Sequence, residues 1–362
     1  MLGSNLKNLR NRVNTKKKND ERLFKKQKVD ENIGNANKTW STIKQFMDWK
    51  VKGSPSQILV ENRLYKKAGE VASLMNYYFI SKVKDLRSSF SVNKNLSVNG
   101  CKKAMESKRC FLSLEYASLK CVEKIIKNLK PSKAVAVDEL DSFSIKISSK
   151  IVAAPIHHLV TLSIMQQKFP EMWKYAKVLP LHKKGCQLER KNYRPVSILS
   201  PVSKILERVI YNQLYGYFSK NKLFHPNVMG YRKNRSTLTA VLQMYDRWVR
   251  GAADGLVSGI VLLDLSAAFD LVNCSILLKK LELYGLKSDF VQWIKCYMSN
   301  RKQAVWVDHI LSEWLDVDVG VPQGSILGPL LFVIFANDLP YLLTCNIDMY
   351  ADDSTLSNSS EY

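Results

Sequence analysis

Three aspartates follow short apolar segments, where their carboxylates could hold divalent cations. Asp264 comes after the apolar run at 258–263, and Asp352 and Asp353 come after a brief run at 347–350 that predicts another strand. Carboxylates beside buried strands are costly to desolvate unless a cation compensates them. Oxygen ligands suit Mg²⁺, and two such ions can stabilise both the attacking and the leaving oxygen of phosphoryl transfer. For the pair at Asp352 and Asp353, an ordinary acidic turn is the alternative.

The surrounding sequence predicts strands and helices in mixed order. The run at 258–263 predicts a buried strand, and residues 303–307 and 314–319 alternate like two strands of a hairpin. Apolar stripes predict helices at 39–49, 71–79, 118–130, 205–218, 237–249, 275–284, 289–298 and 326–336. In the helix after Ser236, we expect the stripe that includes Leu238, Val241 and Leu242 to be buried. The mixture indicates an α+β domain.

Charge is distributed unevenly along the 362 residues. The whole chain has a net charge of +23, but residues 257–362 contain six basic and thirteen acidic residues, a net charge of −7. The preceding part therefore has a net charge of +30, and ten of its basic residues fall between Lys7 and Lys28, in a helical or partly disordered arm. Such a region suits nucleic acid, because bound phosphates release counterions. A solvated basic face without a ligand is the alternative.

The composition does not indicate a membrane protein, a secreted protein or a zinc-binding protein. The uncharged run at 326–336 is far shorter than the roughly 18 residues of a spanning helix. The N-terminus is basic and has no apolar segment behind it, so we expect no secretory signal and an intracellular protein. Seven cysteines form no C-x-x-C pair and no zinc pattern with the histidines, which predicts buried free thiols.

Four motifs follow one another along the chain. The first joins residues 173–185 to 191–200 and contains Asn-Tyr-Arg-Pro; the others lie at 263–270, at 320–329 with Pro-Gln-Gly-Ser, and at 350–353 with Tyr-Ala-Asp-Asp. In this order they resemble the reverse transcriptases of non-LTR (LINE-type) retrotransposons, particularly the jockey-like group. The similarity runs from about Lys7 to the last residue, because residues 31–40 look like the stretch that precedes the polymerase in those elements.

The resemblance implies a right-hand polymerase fold of the α+β class, with fingers and a partial palm after a basic helical region. Residues 1–112 would form that basic region and a linker at 87–112, 113–256 the fingers and the start of the palm, and 257–362 the palm. We expect the chain to end before the thumb. One motif departs from the family, since residues 134–139 lack its Pro and both Gly residues, which puts that loop in question.

The resemblance also implies metal ligands. Asp264 and Asp352 would hold two Mg²⁺ ions, with Mn²⁺ as the alternative, and Asp353 would be a third carboxylate beside them. Asp270 is expected to support structure rather than bind metal.

Other positions match residues that contact the nucleotide or the nucleic acid. Lys183, Lys184 and Arg194 would bind the triphosphate, Phe269 would exclude the ribose 2′-hydroxyl, Gln323 would contact the nucleotide, and Gly230 and Arg232 would form a template-side loop. Surface charge is the alternative for the two lysines. A core aromatic side chain is the alternative for Phe269.

The implied function is RNA-directed DNA polymerase activity, with transfer of a deoxynucleotide to a primer 3′-hydroxyl. The partners would be an RNA template, a DNA primer and dNTP, and an RNA-binding protein encoded by the same element, in a ribonucleoprotein of nucleus and cytoplasm. A remnant that only binds nucleic acid is the second hypothesis, and a maturase or telomerase polymerase is the third.

Overall fold

The computed structural model of the protein describes residues 2–46, 55–89, 96–106 and 108–361. The chain divides into two compact units, residues 1–53 and residues 54–362. No helix in these described ranges is both long and apolar enough to cross a membrane.

The smaller unit contains helices α1 (Leu2–Asp30) and α2 (Ala36–Phe46). The rings of Phe24 and Phe46 meet edge to face with centroids 6.1 Å apart, and the Asn32 side chain donates a hydrogen bond to the Lys28 carbonyl. The predicted basic arm is therefore helical. The helix predicted at 39–49 starts earlier, at Ala36, and residues 47–50 lie outside the described part of the chain.

The larger unit mixes helices and strands, as the sequence predicts. Its helices are α3 (Ala68–Ser88), α4 (Leu96–Met105), α5 (Leu119–Lys127), α6 (Ser142–Ile147), α7 (Ser149–Gln166), α8 (Pro201–Lys220), α9 (Thr237–Ala253), α10 (Cys274–Leu283), α11 (Ser288–Met298) and α12 (Leu327–Ala336). Its strands are β1 (Ile58–Val60), β2 (Arg63–Tyr65), β3 (Tyr175–His182), β4 (Tyr193–Ile198), β5 (Val257–Asp264), β6 (Arg301–Val307), β7 (Ile310–Leu311), β8 (Leu315–Val317), β9 (Asn346–Tyr350) and β10 (Asp353–Ser360).

Two sheets organise this unit, and β1 and β2 pair separately as a hairpin. In one sheet β3 pairs antiparallel with β4 and parallel with β6, and both β7 and β8 pair antiparallel with β6. The pairing of β6 with β8 confirms the hairpin predicted from the alternating residues. The other sheet has the order β5-β10-β9, and all its pairs are antiparallel.

A large helical core surrounds α8, α11 and α12. Ser200 caps α8 through its hydroxyl, and Pro201 occupies the first turn, where no backbone donor is needed. Phe169, Trp293 and Tyr297 are buried in it and pack together, with ring centroids 5.0–5.8 Å apart. A second, smaller core lies between α3 and the sheet of β3, β4 and β6.

The predicted linker at 87–112 contains a packed helix, so that prediction is wrong for residues 96–105. Helix α4 buries Val98, Cys101 and Ala104. Its short apolar stripe is diluted by Ser, Asn and Lys residues, which gave the segment its linker-like composition.

Two predicted burials are also wrong. Helix α9 forms and Ser236 caps it, but Leu238, Val241 and Leu242 are each more than half exposed. Strand β5 forms as well, yet its apolar residues are exposed, with 78% of Leu262 accessible. The physical reason is that, among the described residues, no element covers the side chains of β5 closely on either face. Strand β5 also pairs only with β10 and is an edge strand.

All seven cysteines are free, as predicted, but only Cys101 is buried. Cys186 is exposed and the others are half-buried. The expectation of buried thiols was therefore too broad.

Candidate active site

The three predicted metal ligands come together at one end of the β5-β10-β9 sheet. Asp264 ends β5 and lies directly opposite Asp353, the first residue of β10. Asp352 forms the turn before β10 with Ala351, and its carbonyl accepts a hydrogen bond from Leu265 N at 3.3 Å. Opposed residues of an antiparallel pair have Cβ atoms about 4.5–5.5 Å apart, so these carboxylates share one small region.

The turn with Asp352 is held against an earlier loop. Met229 N donates to Met349 O, and Met349 N donates to Asn227 O, both at 2.8 Å. A Cβ added at Gly230 would lie 2.1 Å from Ala351 N, so only glycine fits there. Gly230 therefore supports the position of Asp352 through backbone contact.

A cavity of about 560 Å³ opens beside these aspartates. It collects six of the residues predicted from the sequence, which are Lys183, Arg194, Asp264, Phe269, Gln323 and Asp352. Motifs separated by more than a hundred residues thus line one space.

Two cations of the cavity, Lys183 and Arg194, come from the sheet of β3, β4 and β6. Lys183 follows β3, and its backbone N–H donates to Asn192 O at 2.8 Å. Arg194 lies on β4 opposite Leu181. Neither Lys183 nor Arg194 has an ion-pair partner in the described ranges, so both charges are available to an anionic ligand.

Gln323 is held between β4 and the loop after β5. Its carbonyl accepts from Ser197 N at 3.2 Å, and its side-chain Nε2 donates to Asp270 Oδ1 at 2.7 Å. A Cβ at Gly324, where φ is +101°, would lie 2.5 Å from Ser197 O. Asp270 therefore supports structure through Gln323, in agreement with its expected role.

The carboxyl of Asp270 is partly buried. Burial raises its pKa, while the hydrogen bond from Gln323 and the charge of Lys82 act in the opposite direction.

A buried glutamate fixes the helix that follows Gln323. Glu207 on α8 is fully buried, and its Oε2 accepts from Ile326 N at 2.7 Å and Leu327 N at 3.2 Å. These bonds satisfy donors at the start of α12, as a capping side chain does. Burial raises the pKa of Glu207, and the nearby charge of Arg301 opposes the rise.

Aromatic rings form one wall of the cavity. Phe269 stacks on Phe332 with centroids 4.8 Å apart and meets Tyr231 edge to face at 5.8 Å. Phe269 thus packs against the core and also lines the cavity. This position is compatible both with contact to the nucleotide and with a core aromatic side chain. Burial, and then the charge of Asp352, raise the pKa of the Tyr231 hydroxyl.

Some predicted residues do not line the cavity. Lys184 and Asp353 are exposed and are not among the residues that line the cavity. Arg232 donates from Nη1 to His225 O at 2.8 Å and to Val228 O at 2.7 Å. Contacts of Gly230 and Arg232 are those of a structural loop, and their contact with nucleic acid stays a prediction.

Sequence reasoning missed other lining residues, which are Lys82, Lys191, Tyr193 and Tyr231. Lys191 and Tyr193 belong to a motif that was recognised, so their places in it could have singled them out. Lys82 stands in α3, about a hundred residues before that motif, and no local pattern marks it.

Two carboxylates of the cavity fit a hard divalent cation. In the described ranges, no group of three or more His, Cys, Asp or Glu side chains is arranged to hold a metal. Mg²⁺, however, is usually bound through one or two carboxylates together with substrate phosphates and water. Asp264 and Asp352 can supply such a pair, whereas Asp353 as a third ligand stays a prediction.

Comparison with known proteins agrees with this geometry. The family model described as "Reverse transcriptase (RNA-dependent DNA polymerase)" matches residues 181–362, half of the chain. The chain belongs to the reverse transcriptase family. The match includes β4, the aspartates and Gln323, but it excludes everything before the end of β3.

Curated relatives assign this reverse transcriptase sequence to the jockey-like, non-LTR type. A probable RNA-directed DNA polymerase from transposon BS of Drosophila melanogaster is 30% identical over 254 residues, 66% of this chain and 27% of that protein. The RNA-directed DNA polymerase from mobile element jockey of the same species is 29% identical over 261 residues, 69% of this chain and 28% of that protein. The chain thus spans about a quarter of the length of these relatives.

Proposed function

We propose that this chain carries the polymerase region of a jockey-like retrotransposon protein and synthesises DNA on an RNA template. The observation that carries the proposal is the cavity that joins Asp264 and Asp352 to the unpaired cations Lys183 and Arg194. Nucleotidyl transfer needs these two kinds of charge close together, carboxylates near the reacting phosphate and cations along the rest of the triphosphate. Family membership supports the same reaction.

In this proposal the two sheets take the parts of a right-hand polymerase. The sheet of β3, β4 and β6 belongs to the fingers, because it supplies the cations. The β5-β10-β9 sheet belongs to the palm, because it supplies the aspartates. The basic arm of α1 adds a site for nucleic-acid phosphates.

Asp264 and Asp352 would hold Mg²⁺, with Asp353 close by as a third carboxylate. When bound, two such ions stabilise charge on the attacking and leaving oxygens of an in-line displacement. The chain's own residues bind and orient the substrates. Arg194 presents a planar fork of donors to phosphate, and Lys183 adds a point charge.

Gln323 and Phe269 would recognise the sugar and base end of the deoxynucleotide. Asp270 accepts a hydrogen bond from the side-chain Nε2 of Gln323. The side-chain oxygen Oε1 of Gln323 is therefore left to accept a hydrogen bond from a hydroxyl or amino group. Phe269 would limit the space at the ribose 2′ carbon. The remaining partners in this proposal are an RNA template and a DNA primer.

Primer extension tests the proposal. The chain would be incubated with an RNA template, a DNA primer, Mg²⁺ and four deoxynucleoside triphosphates, in parallel with Asp264→Asn and Asp352→Asn. We expect each substitution to lower extension by about a hundredfold or more, the loss typical of a group that stabilises transition-state charge. Asp308→Asn is the matched control, because Asp308 lies in a turn with φ of 44°, which asparagine also adopts.

Circular dichroism would establish that each variant is folded. A folded wild-type chain without extension, or an Asp352→Asn variant that extends as fast as wild type, would refute the proposal.

A further inference from the structure

Helix α3 lies outside the segment that the family model matches, but it is built into the same core as β3, β4 and β6. Its residues Val71, Met75 and Phe79 are buried against Val178 and other residues of that sheet. The β1-β2 hairpin before it is attached as well, since Leu59 N donates to Leu188 O at 2.9 Å in the loop between β3 and β4. The position of α3 is therefore set by the sheet.

A buried asparagine fixes the rotation of α3 about its axis. Asn76 is 1% exposed, and its Nδ2 donates to Glu313 O at 2.9 Å and to Ser312 Oγ at 3.0 Å. Gln303 on β6 returns a hydrogen bond to Asn76 Oδ1 at 3.0 Å. Because a buried amide is costly to leave unpaired, these bonds hold the helix in one orientation.

That orientation brings Lys82 into the cavity that contains Asp264 and Asp352. One turn earlier on α3, the guanidinium of Arg190 lies over the ring of Tyr78, with the guanidinium carbon 5.1 Å from the ring centre. Lys82 is exposed and has no ion-pair partner within the described ranges. Its charge also acts on the carboxyl of Asp270, which bonds to Gln323. Lys82, Asp270 and Gln323 therefore line the same cavity.

We propose that Lys82 is a phosphate-binding residue of the active site, supplied by α3 to the triphosphate of the incoming nucleotide. This inference rests on the proposed function. Lys82, Lys183 and Arg194, none of which has an ion-pair partner in the part of the chain that the structure describes, then share the cavity with Asp264 and Asp352. A triphosphate with its several negative charges matches that set better than a single backbone phosphate, because the three cations line the same cavity as the aspartates.

Steady-state extension and direct binding test this role. The wild-type chain would be compared with Lys82→Ala, Lys82→Arg and the control Lys84→Ala, which removes a charge from the same helix at a residue that does not line the cavity. We expect Lys82→Ala to raise KM for the deoxynucleotide about tenfold, as for loss of one charge-assisted hydrogen bond, with kcat little changed. Lys82→Arg should restore most of the affinity, and Lys84→Ala should behave as wild type.

The two sources of phosphate are separated by a second measurement, the fluorescence anisotropy of a labelled RNA–DNA template–primer. Unchanged template–primer affinity together with the raised KM supports the triphosphate assignment. Weaker template–primer binding with unchanged KM would assign Lys82 to the nucleic-acid backbone and overturn the proposal. An unchanged KM and unchanged template–primer affinity would overturn it too.

Binding of a fluorescent deoxynucleoside triphosphate without extension distinguishes failure of this inference from failure of the proposed function. If the wild-type chain binds this probe but does not extend, the polymerase proposal fails, and the Lys82 assignment is judged on binding alone. If Lys82→Ala binds the probe as tightly as wild type, the Lys82 assignment fails while extension by wild type still supports the polymerase.

Discussion

At the residue scale, Asp270 determines which end of the Gln323 amide faces the cavity. An ionised carboxylate can only accept hydrogen bonds, so the side-chain Nε2 of Gln323 points toward Asp270. The side-chain oxygen Oε1 of Gln323 must then point away from Asp270. Asp270 is a positioning residue in this arrangement, since it acts through Gln323.

We expect Asp270→Ala to raise KM for the deoxynucleotide by about tenfold, with a smaller effect on kcat, because Gln323 loses a hydrogen bond to a charged group. Asp270→Asn should be much closer to wild type, since the asparagine carbonyl can still accept from Nε2. Steady-state primer extension measures both constants, and urea unfolding checks that the variants are equally stable. Equal KM values for the two variants would contradict the positioning role.

Some residues that line the cavity could be predicted from the sequence, and others could not. Asp264, Arg194 and Gln323 were found because each lies in a motif of distinctive residue types. Lys82 was not found, because its place in the cavity depends on how α3 packs on a sheet formed about a hundred residues later. A lysine on an amphipathic helix has no local signal that distinguishes it from a solvated charge.

At the scale of elements, the loop at 134–139 forms a turn without the Pro and Gly residues of the family motif. Residues 137–138 make the turn, and Glu139 adopts φ of 58°, in the left-handed region that glycine prefers. Glu139 occupies the position where the family has its second glycine. The backbone therefore forms the turn, but Glu139 adopts a left-handed conformation that is less favourable for it than for glycine.

Glu139→Gly should raise the free energy of unfolding by about 0.5–1 kcal/mol, because a left-handed conformation costs glycine little. The side chain of Glu139 is exposed, so its loss should cost little. Urea denaturation measures the change. Ala134→Gly, at a residue of the same loop without positive φ, should be neutral or destabilising, and a destabilised Glu139→Gly would contradict the strain argument.

The predicted elements were mostly found, but their burial was not always as expected. The stripe of α9 and the apolar run of β5 identify a helix and a strand, and both exist. Periodicity shows which residues share a face, whereas burial depends on whether another element covers that face. For α9 and β5, the local sequence does not show whether another element covers the apolar face.

At the scale of the whole molecule, the exposed apolar residues of β5 lie on a strand with an open edge. Such edges can pair with other chains and promote aggregation unless charges interrupt them. The eight residues Val257–Asp264 contain one charged residue, Asp264 at the end. Edge and apolar surface together predict self-association through β5.

Leu262→Lys should reduce concentration-dependent self-association, because a charge would enter the open edge. The side chain is 78% exposed, so the free energy of unfolding should change by less than about 0.5 kcal/mol. Sedimentation velocity over a range of concentrations measures association. Leu59→Lys, on β1 and 41% exposed, adds the same charge elsewhere, and an equal effect of both variants would indicate net charge rather than the β5 edge.

The family match begins at residue 181, inside β3, while the core that holds β3 in place also contains β1 and α3. The large helical core likewise draws on α4, α5 and α7. The segment matched by the family model and the packed cores therefore have different boundaries in this protein. A segment cut to the limits of the family-model match would split a strand and expose both cores, so we expect a piece that folds on its own to begin at least as early as the β1-β2 hairpin.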